Sequence, residues 1–393
     1  MNILQVLKQK SARILVKENA PLSYPASWQQ KELSRFPQPA DDVERSYFQY
    51  CCQMHLAKSY APALLNLAGL LLLPLFRLRL ERQNTATPPQ TADAVFAYDG
   101  RPDILPVSLQ QEFPGWVQCR DFQNHTALNA EDIQFLRKLR RRYPFSFFFR
   151  FKCMVKVAMY RPMIDTYAPK AIIVSEEYSF TSSFLTAYCH HLGIEHINVM
   201  HGEKLFYIRD SFFRFDRCYV WDESYRKLFC ALRAEPAQFR VEAPPCVQPW
   251  GKIGVEKSVD YTYYLQAEKP ETLSAIADVL RTLRECGYTV AVRPHPIYSD
   301  KAAVEALFSF CLIEDKAEID ILTSVLRTRH AVSAYSTVLY QAYLNGVPAV
   351  IDDVSDPTQY EKLREARYHM LDVEHTLLSS HVSASAAGRQ TKD

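Results

Sequence analysis

What this chain has little of narrows its chemistry first. None of its ten cysteines belongs to a Cys-x-x-Cys pair, and the only neighbours are Cys51-Cys52. Spacing suited to zinc or a redox dithiol is therefore missing, and without a secretory signal the cysteines read as reduced cytosolic thiols. Residues 1–17 interleave Leu, Ile and Val with Lys and Arg, as a short amphipathic helix does, and hold neither an unbroken apolar core nor a small-residue cleavage site. A cytoplasmic protein is expected. No charge of one sign dominates either: the formal net charge is +2, too little to neutralise phosphates wholesale, so nucleic acid is not an expected partner. No Asp-x-Asp sits at an expected strand end, and Asp352-Asp353 lack partner spacing, so no metal requirement is expected.

What is present fits a soluble two-domain protein: 393 residues, 48% apolar and 23% charged. From Lys170 the pattern is regular. Strands are expected over 171–175, 196–200 and 217–221, with helices over 179–192 and 224–232. After a proline-rich break from Pro244 to Gly251, the alternation restarts with a strand over 261–266, a helix over 270–286 stopped by Gly287, and a strand over 288–292. Helices at 301–308, 318–328 and 338–344 and strands at 310–313, 330–334 and 349–352 complete it. Such alternation implies βαβ units and parallel sheets. The expectation is an α/β chain of two doubly wound, Rossmann-like domains facing across a cleft, over 1–250 and 251–378, with a small, polar, disordered tail at 379–393.

Four positions fall at expected carboxyl ends of strands, where ligands bind in open α/β sheets. They are Glu176-Glu177, His201-Gly202, His295 and Ser336-Thr337. His295 stands between Pro294 and Pro296 on a stiff turn. Ser336 and Thr337 open a helix, and hydroxyls with free helix N–H groups beside a cationic imidazole suit a phosphate. The two strand ends are expected to be neighbours facing one ligand. Arg293 can add charge to it or turn to solvent. A carboxylate on a cleft floor suits a general base, and His201 is its rival. Glu177, further into the loop, is favoured over Glu176, although alternation along the strand can select either. Each position also has a plain reading: surface acids, turn histidines and an ordinary helix cap.

Residues 170–355 resemble the GT-B glycosyltransferases, and within them the bacterial enzymes that use CMP-activated acidic sugars, namely sialyltransferases, polysialyltransferases and Kdo transferases. Glu176-Glu177 match the acidic pair that carries the base there, with Tyr178 where a Gly is common. His295-Pro296 and Ser336-Thr337 look like the elements that contact the nucleotide phosphate, and Glu318 or Asp320 the acid that reads the ribose. The resemblance implies inverting, metal-independent transfer of an acidic sugar from a CMP donor to a hydroxyl of a bacterial surface glycan, free or lipid-linked. A second resemblance, to CDP-glycerol polymerases of teichoic acid synthesis, rests on His201-Gly202 and Arg293-Pro294-His295 and makes His201 the base. A non-catalytic nucleotide or glycan binder and a UDP-sugar epimerase are the other classes.

The apolar run 61–76 holds two prolines and is shorter than the roughly 20 residues needed to cross a bilayer. It reads first as a buried helix and second as an interfacial segment. With the basic cluster 137–142 it makes peripheral contact with anionic membrane, on the inner face of the cytoplasmic membrane, an expected partner surface.

Overall fold

A computed structural model describes residues 21–80, 90–249 and 255–390; the expected helix at 1–17 and most of the loop at 84–91 lie outside them. The chain divides into two compact units. The first holds residues up to His201 with Phe206–Cys246, and the second holds Gly202–Leu205 with everything from Val247.

In the first unit six strands, β1 (Ala94–Phe96), β2 (Val117–Gln118), β3 (Ala171–Val174), β4 (Glu195–Val199), β5 (Arg217–Val220) and β6 (Phe239–Val241), form one sheet in the order β2-β1-β3-β4-β5-β6. Every neighbouring pair is parallel. A parallel sheet is covered on both faces, which is why its central strand β3 is an unbroken apolar run. All four residues of β3 are fully buried. The order reverses between β1 and β3, and right-handed crossovers on either side of that reversal send helices to opposite faces.

The second unit repeats the plan with β7 (Val259–Tyr264), β8 (Val290–Arg293), β9 (Leu312–Ile313), β10 (Thr328–Ser333), β11 (Ala349–Ile351) and β12 (Thr376–Leu377), in the order β12-β11-β10-β7-β8-β9 and again all parallel. Counted from its own first strand this is the Rossmann order, with the reversal between β7 and β10. Its core is legible in the helix Pro270–Glu285, where Leu273, Ile276, Ala277, Leu280 and Leu283 recur at helical spacing and are buried against the sheet. Proline at its first position and Gly287 at φ +92° past its end bracket it as expected. The architecture is α/β with two doubly wound parallel-sheet domains, as the GT-B class requires.

Two expectations are overturned. The run at 61–76 is not buried: the helix Ala61–Leu80 spans 20 residues, and Leu64, Leu67, Leu71, Leu75 and Leu78 are each more than half exposed. It is predominantly apolar, and among the described residues the helix Phe147–Tyr167 packs along one side of it. Pro62 sits in its first turn, where the missing N–H has no helical acceptor, so only Pro74 interrupts it. The tail expected to be disordered instead carries the helix Leu378–Gln390. Distant anchors hold its start: Leu378 is buried, Ser379 N and Oγ donate to Asp353 at 2.9 and 2.6 Å, and His381 Nδ1 lies 3.0 Å from Tyr261 Oη.

One buried group gives this fold a pH signature. His196 on β4 is fully buried, with Nδ1 2.8 Å from Thr186 Oγ1 and Nε2 3.0 Å from Tyr160 Oη. The Thr186 hydroxyl proton points to the carbonyl oxygens of Ser182 or Arg214, so His196 Nδ1 donates to Thr186 and Nε2 accepts from Tyr160. Burial first, then the charges of His190 and Lys156, lower its pKa to about 3. The neutral form is the folded form, so its contribution is complete above the unfolded value near 6.5 and lost as pH falls below it. Stability is expected to drop by ~1.4 kcal/mol per pH unit from this group between about 6.5 and 5. Urea melts across that range check it, and the slope should flatten in His196→Asn relative to wild type.

Candidate functional site

The carboxyl edge of the second sheet carries a connected polar shelf. Gln266 follows β7, Ser336 follows β10, and His295 follows β8, so β7 lies between the two strands expected to be neighbours. Hydrogen bonds join all three ends. Gln266 Nε2 donates to Ser336 Oγ (3.1 Å), Ser299 Oγ donates to the Gln266 carbonyl (3.2 Å), and His295 N donates to Ser299 Oγ (2.8 Å). Gln266 and Ser336 thus meet at the strand reversal, where loops leave in opposite directions and a crevice opens.

Ser336 is buried and caps the helix Thr337–Leu344, its Oγ accepting from Val338 N at 3.2 Å. Tyr368 Oη fixes its backbone, 3.2 Å from Ser336 N. With Ser336 committed to the cap, half-buried Thr337 opens the helix, where its amide has no intrahelical acceptor. His295 Nδ1 accepts from the backbone N–H groups of Ile297 (3.1 Å) and Tyr298 (3.3 Å), and its ring stacks on Tyr298 at 4.5 Å. Partial burial lowers its pKa. The expected imidazolium is therefore a neutral imidazole that presents Nε2–H as donor, because protonating Nδ1 would break two backbone contacts. A cavity of about 80 Å³ adjoins it, bounded by Pro294, Pro296, Val304 and Lys316 among others.

Two other candidates are used elsewhere, and a third stands exposed. Arg293 turns away from the shelf to buried Glu314 (3.0 Å) and the Ile319 carbonyl (2.9 Å), while Arg327 takes the other Glu314 oxygen at 2.9 Å. Asp320 caps the helix Ile321–Arg327 through Thr323 N and Oγ1, and the backbone donor at Thr323 leads in holding its carboxyl below the usual value. Glu318 is exposed in the preceding turn.

In the first unit the acids follow β3, beside the reversal between β1 and β3. Both are buried. Glu176 Oε1 is 2.5 Å from Lys156 Nζ, and its amide donates to Asn198 Oδ1 at 2.8 Å. Its second oxygen, Oε2, is buried with no hydrogen-bond partner among the described residues. Glu177 is fully buried, with Oε2 accepting from Asn198 Nδ2 at 3.2 Å. Glu177, expected to reach further, is the more deeply buried of the two, and a turn closed by Ser179 N on the Glu176 carbonyl follows them. His201, after β4, is exposed, with Nδ1 2.5 Å from Ser175 Oγ and Tyr98 and Tyr178 flanking the ring at 6.0 and 6.4 Å. Glutamate, lysine and imidazole thus converge at one strand edge. Among the described residues no group of three or more His, Cys, Asp or Glu is placed to hold a metal ion.

Gln266, Ser299, Ser175 and Lys156 escaped the sequence. Gln266 had one signal, as the polar residue ending an apolar strand. The others are recognised only by what they touch.

No protein-family model matches the chain, and no curated protein does. Solved structures that resemble it include a putative UDP-N-acetylglucosamine 2-epimerase from Listeria monocytogenes, with TM-score 0.44, 12% identity, and coverage of 73% of this chain and 89% of that one. The UDP-GlcNAc 2-epimerase of Methanocaldococcus jannaschii in complex with UDP-GlcNAc and UDP gives 0.42 at 13% identity, covering 72% and 92%. A wall teichoic acid polymerase gives 0.42 at 11%, covering 84% and 88%. These likenesses are distant, and the architecture stands on its own strand order.

The ion-pair arrangement predicts how Arg293 behaves. Glu314→Ala leaves two partly buried guanidinium groups without their carboxylate and should lower stability by about 2–4 kcal/mol. Thermal melts check this, and Arg293→Ala should show its main defect in melting temperature rather than in ligand affinity at fixed fold.

Proposed function

We propose that this chain is an inverting transferase that moves an acidic sugar from a CMP donor to a hydroxyl of a bacterial surface glycan. The observation that supports it best is Glu176: a buried carboxylate beside a strand reversal, one oxygen on Lys156 and the other unmatched. An acceptor hydroxyl supplies the missing donor and is thereby aimed for attack. The hydroxyl oxygen bonds to the anomeric carbon as its proton passes to Glu176, and the bond from that carbon to the CMP phosphate oxygen breaks with its electron pair. The His295 Nε2–H and the Thr337 amide and hydroxyl meet the charge on the departing phosphate. The ribose contact expected of Glu318 or Asp320 has no support in their placement.

A second reading is favoured by His201, the exposed group of that edge. Held through Nδ1 by Ser175, its imidazole would act as base for transfer from a CDP-alcohol. Both readings share the cytidine nucleotide and the shelf at Ser336, Thr337 and His295.

Turnover with each donor separates them. Under the first reading Glu176→Gln abolishes transfer from a CMP-sugar while the donor dissociation constant stays within a factor of about two, since the lost group meets the acceptor. Under the second, His201→Ala does this with a CDP-alcohol. Full activity of both variants with both donors contradicts both readings. His295→Ala should lower kcat/KM for the donor roughly 10²-fold, as loss of one preorganised donor does elsewhere. Unchanged kinetics in the folded variant would remove it from the site.

A further inference from the structure

We propose that the helix Ala61–Leu80 is a membrane-docking element that lies in the surface of an anionic bilayer and seats a lipid phosphate in an arginine-rimmed cavity at its carboxyl end. The helix has two different sides. On one, Asn66 brackets the start of the helix Phe147–Tyr167, its Nδ2 donating to the Phe145 carbonyl (2.9 Å) and its Oδ1 accepting from Phe148 N (3.2 Å). Gly69 lies so close that a Cβ there would stand 2.5 Å from Phe148 N, and Phe76 meets Phe151 edge-on at 5.8 Å. On the other side Leu64, Leu67, Leu71, Leu75 and Leu78 follow one another every three or four residues, 51–63% exposed. Such a stripe of leucines left in water costs free energy that burial in acyl chains recovers.

Length and composition would let Ala61–Leu78 cross a membrane. Its contacts argue otherwise, since a spanning helix needs lipid or apolar protein around it at every depth, and this one is pinned lengthwise to a helix whose far side enters the domain core. One side on protein and one side apolar is the geometry of a helix lying in the interface.

Charge selects the kind of surface. A cavity of about 200 Å³ opens between this helix and the helices Ala130–Arg142 and Phe147–Tyr167, with Leu73 and Leu136 in its wall and Arg77, Arg137, Arg140 and Arg150 around it. No acidic side chain lines it among the described residues. Arg142, from the same basic run, pairs with Asp41 and Glu44 and does not line the cavity. Burial, and then the neighbouring Arg140, lower the pKa of Arg150, so like charges crowd there. An anion relieves that crowding, and a phosphate with acyl chains attached matches both rim and wall. None of these residues belongs to the shelf or the acid cluster, so the inference stands apart from the donor reading.

Co-sedimentation of the full chain with vesicles tests it, using phosphatidylcholine alone and phosphatidylcholine mixed equally with phosphatidylglycerol. The expected result at low salt is binding to the anionic vesicles at least about tenfold tighter, weakened by added salt. Arg137→Glu with Arg140→Glu, and separately Leu67→Glu with Leu71→Glu and Leu75→Glu, should each reduce that binding about tenfold or more while leaving the melting temperature and nucleotide binding unchanged. Equal binding to both vesicles, or variants that bind as wild type, would overturn it. So would protein that stays in the vesicles through alkaline high-salt washing, which marks a spanning helix. A leucine variant that changes the oligomeric state in light scattering but not vesicle binding would assign the stripe to a second copy of this chain.

Discussion

Both candidate sites depend on one constraint, the reversal of strand order in a parallel sheet. Neighbouring strands that lead in opposite directions send their following loops apart, and backbone at the carboxyl edge is left unfilled between them. In the second sheet that gap is bridged by the hydrogen bond from Gln266 to Ser336 and extended through Ser299 to His295. In the first it is flanked by Ser175, Glu176 and Glu177. The chemistry follows from which residues end the strands. A capped helix, a neutral imidazole and a half-satisfied carboxylate are placed there by topology, and each is held by contacts that leave one polar atom to act.

Much of this was readable before any coordinates. Apolar runs such as Ala171–Val174 and the valines of β8 announce buried parallel strands, and Ser336 announces a helix start, because burial and capping act within a few residues. Spatial order was not readable. His295 and Ser336 were expected on adjacent strands, yet β7 lies between them, since pairing is decided by contacts remote in sequence. For the same reason Arg293 passed for a phosphate ligand. Its partner Glu314 is 21 residues away on another strand's end, and only the fold shows the pair closed. Two-residue strands such as β2 and β12 carry too little periodicity to be seen at all.

Burial also re-sorted the candidate bases. Reach along a loop favoured Glu177, but that residue is fully buried against Asn198, while Glu176 keeps slight exposure and pairs with Lys156. The helix Ala61–Leu80 shows the converse case, apolar residues left outside. Its composition alone fitted a core helix, and nothing local marks which of its sides has a partner.

The shelf beside the β7–β10 reversal is proposed to take the phosphate of a cytidine nucleotide. Thermal shift with CMP, CDP, UMP, UDP and GDP addresses it most directly, because a ligand at about 100 times its dissociation constant stabilises the folded state by about 2.7 kcal/mol. A rise of roughly 5–10 °C with CMP or CDP, lost in His295→Ala, is the predicted result. A rise with UDP alone, or with no nucleotide, would contradict it.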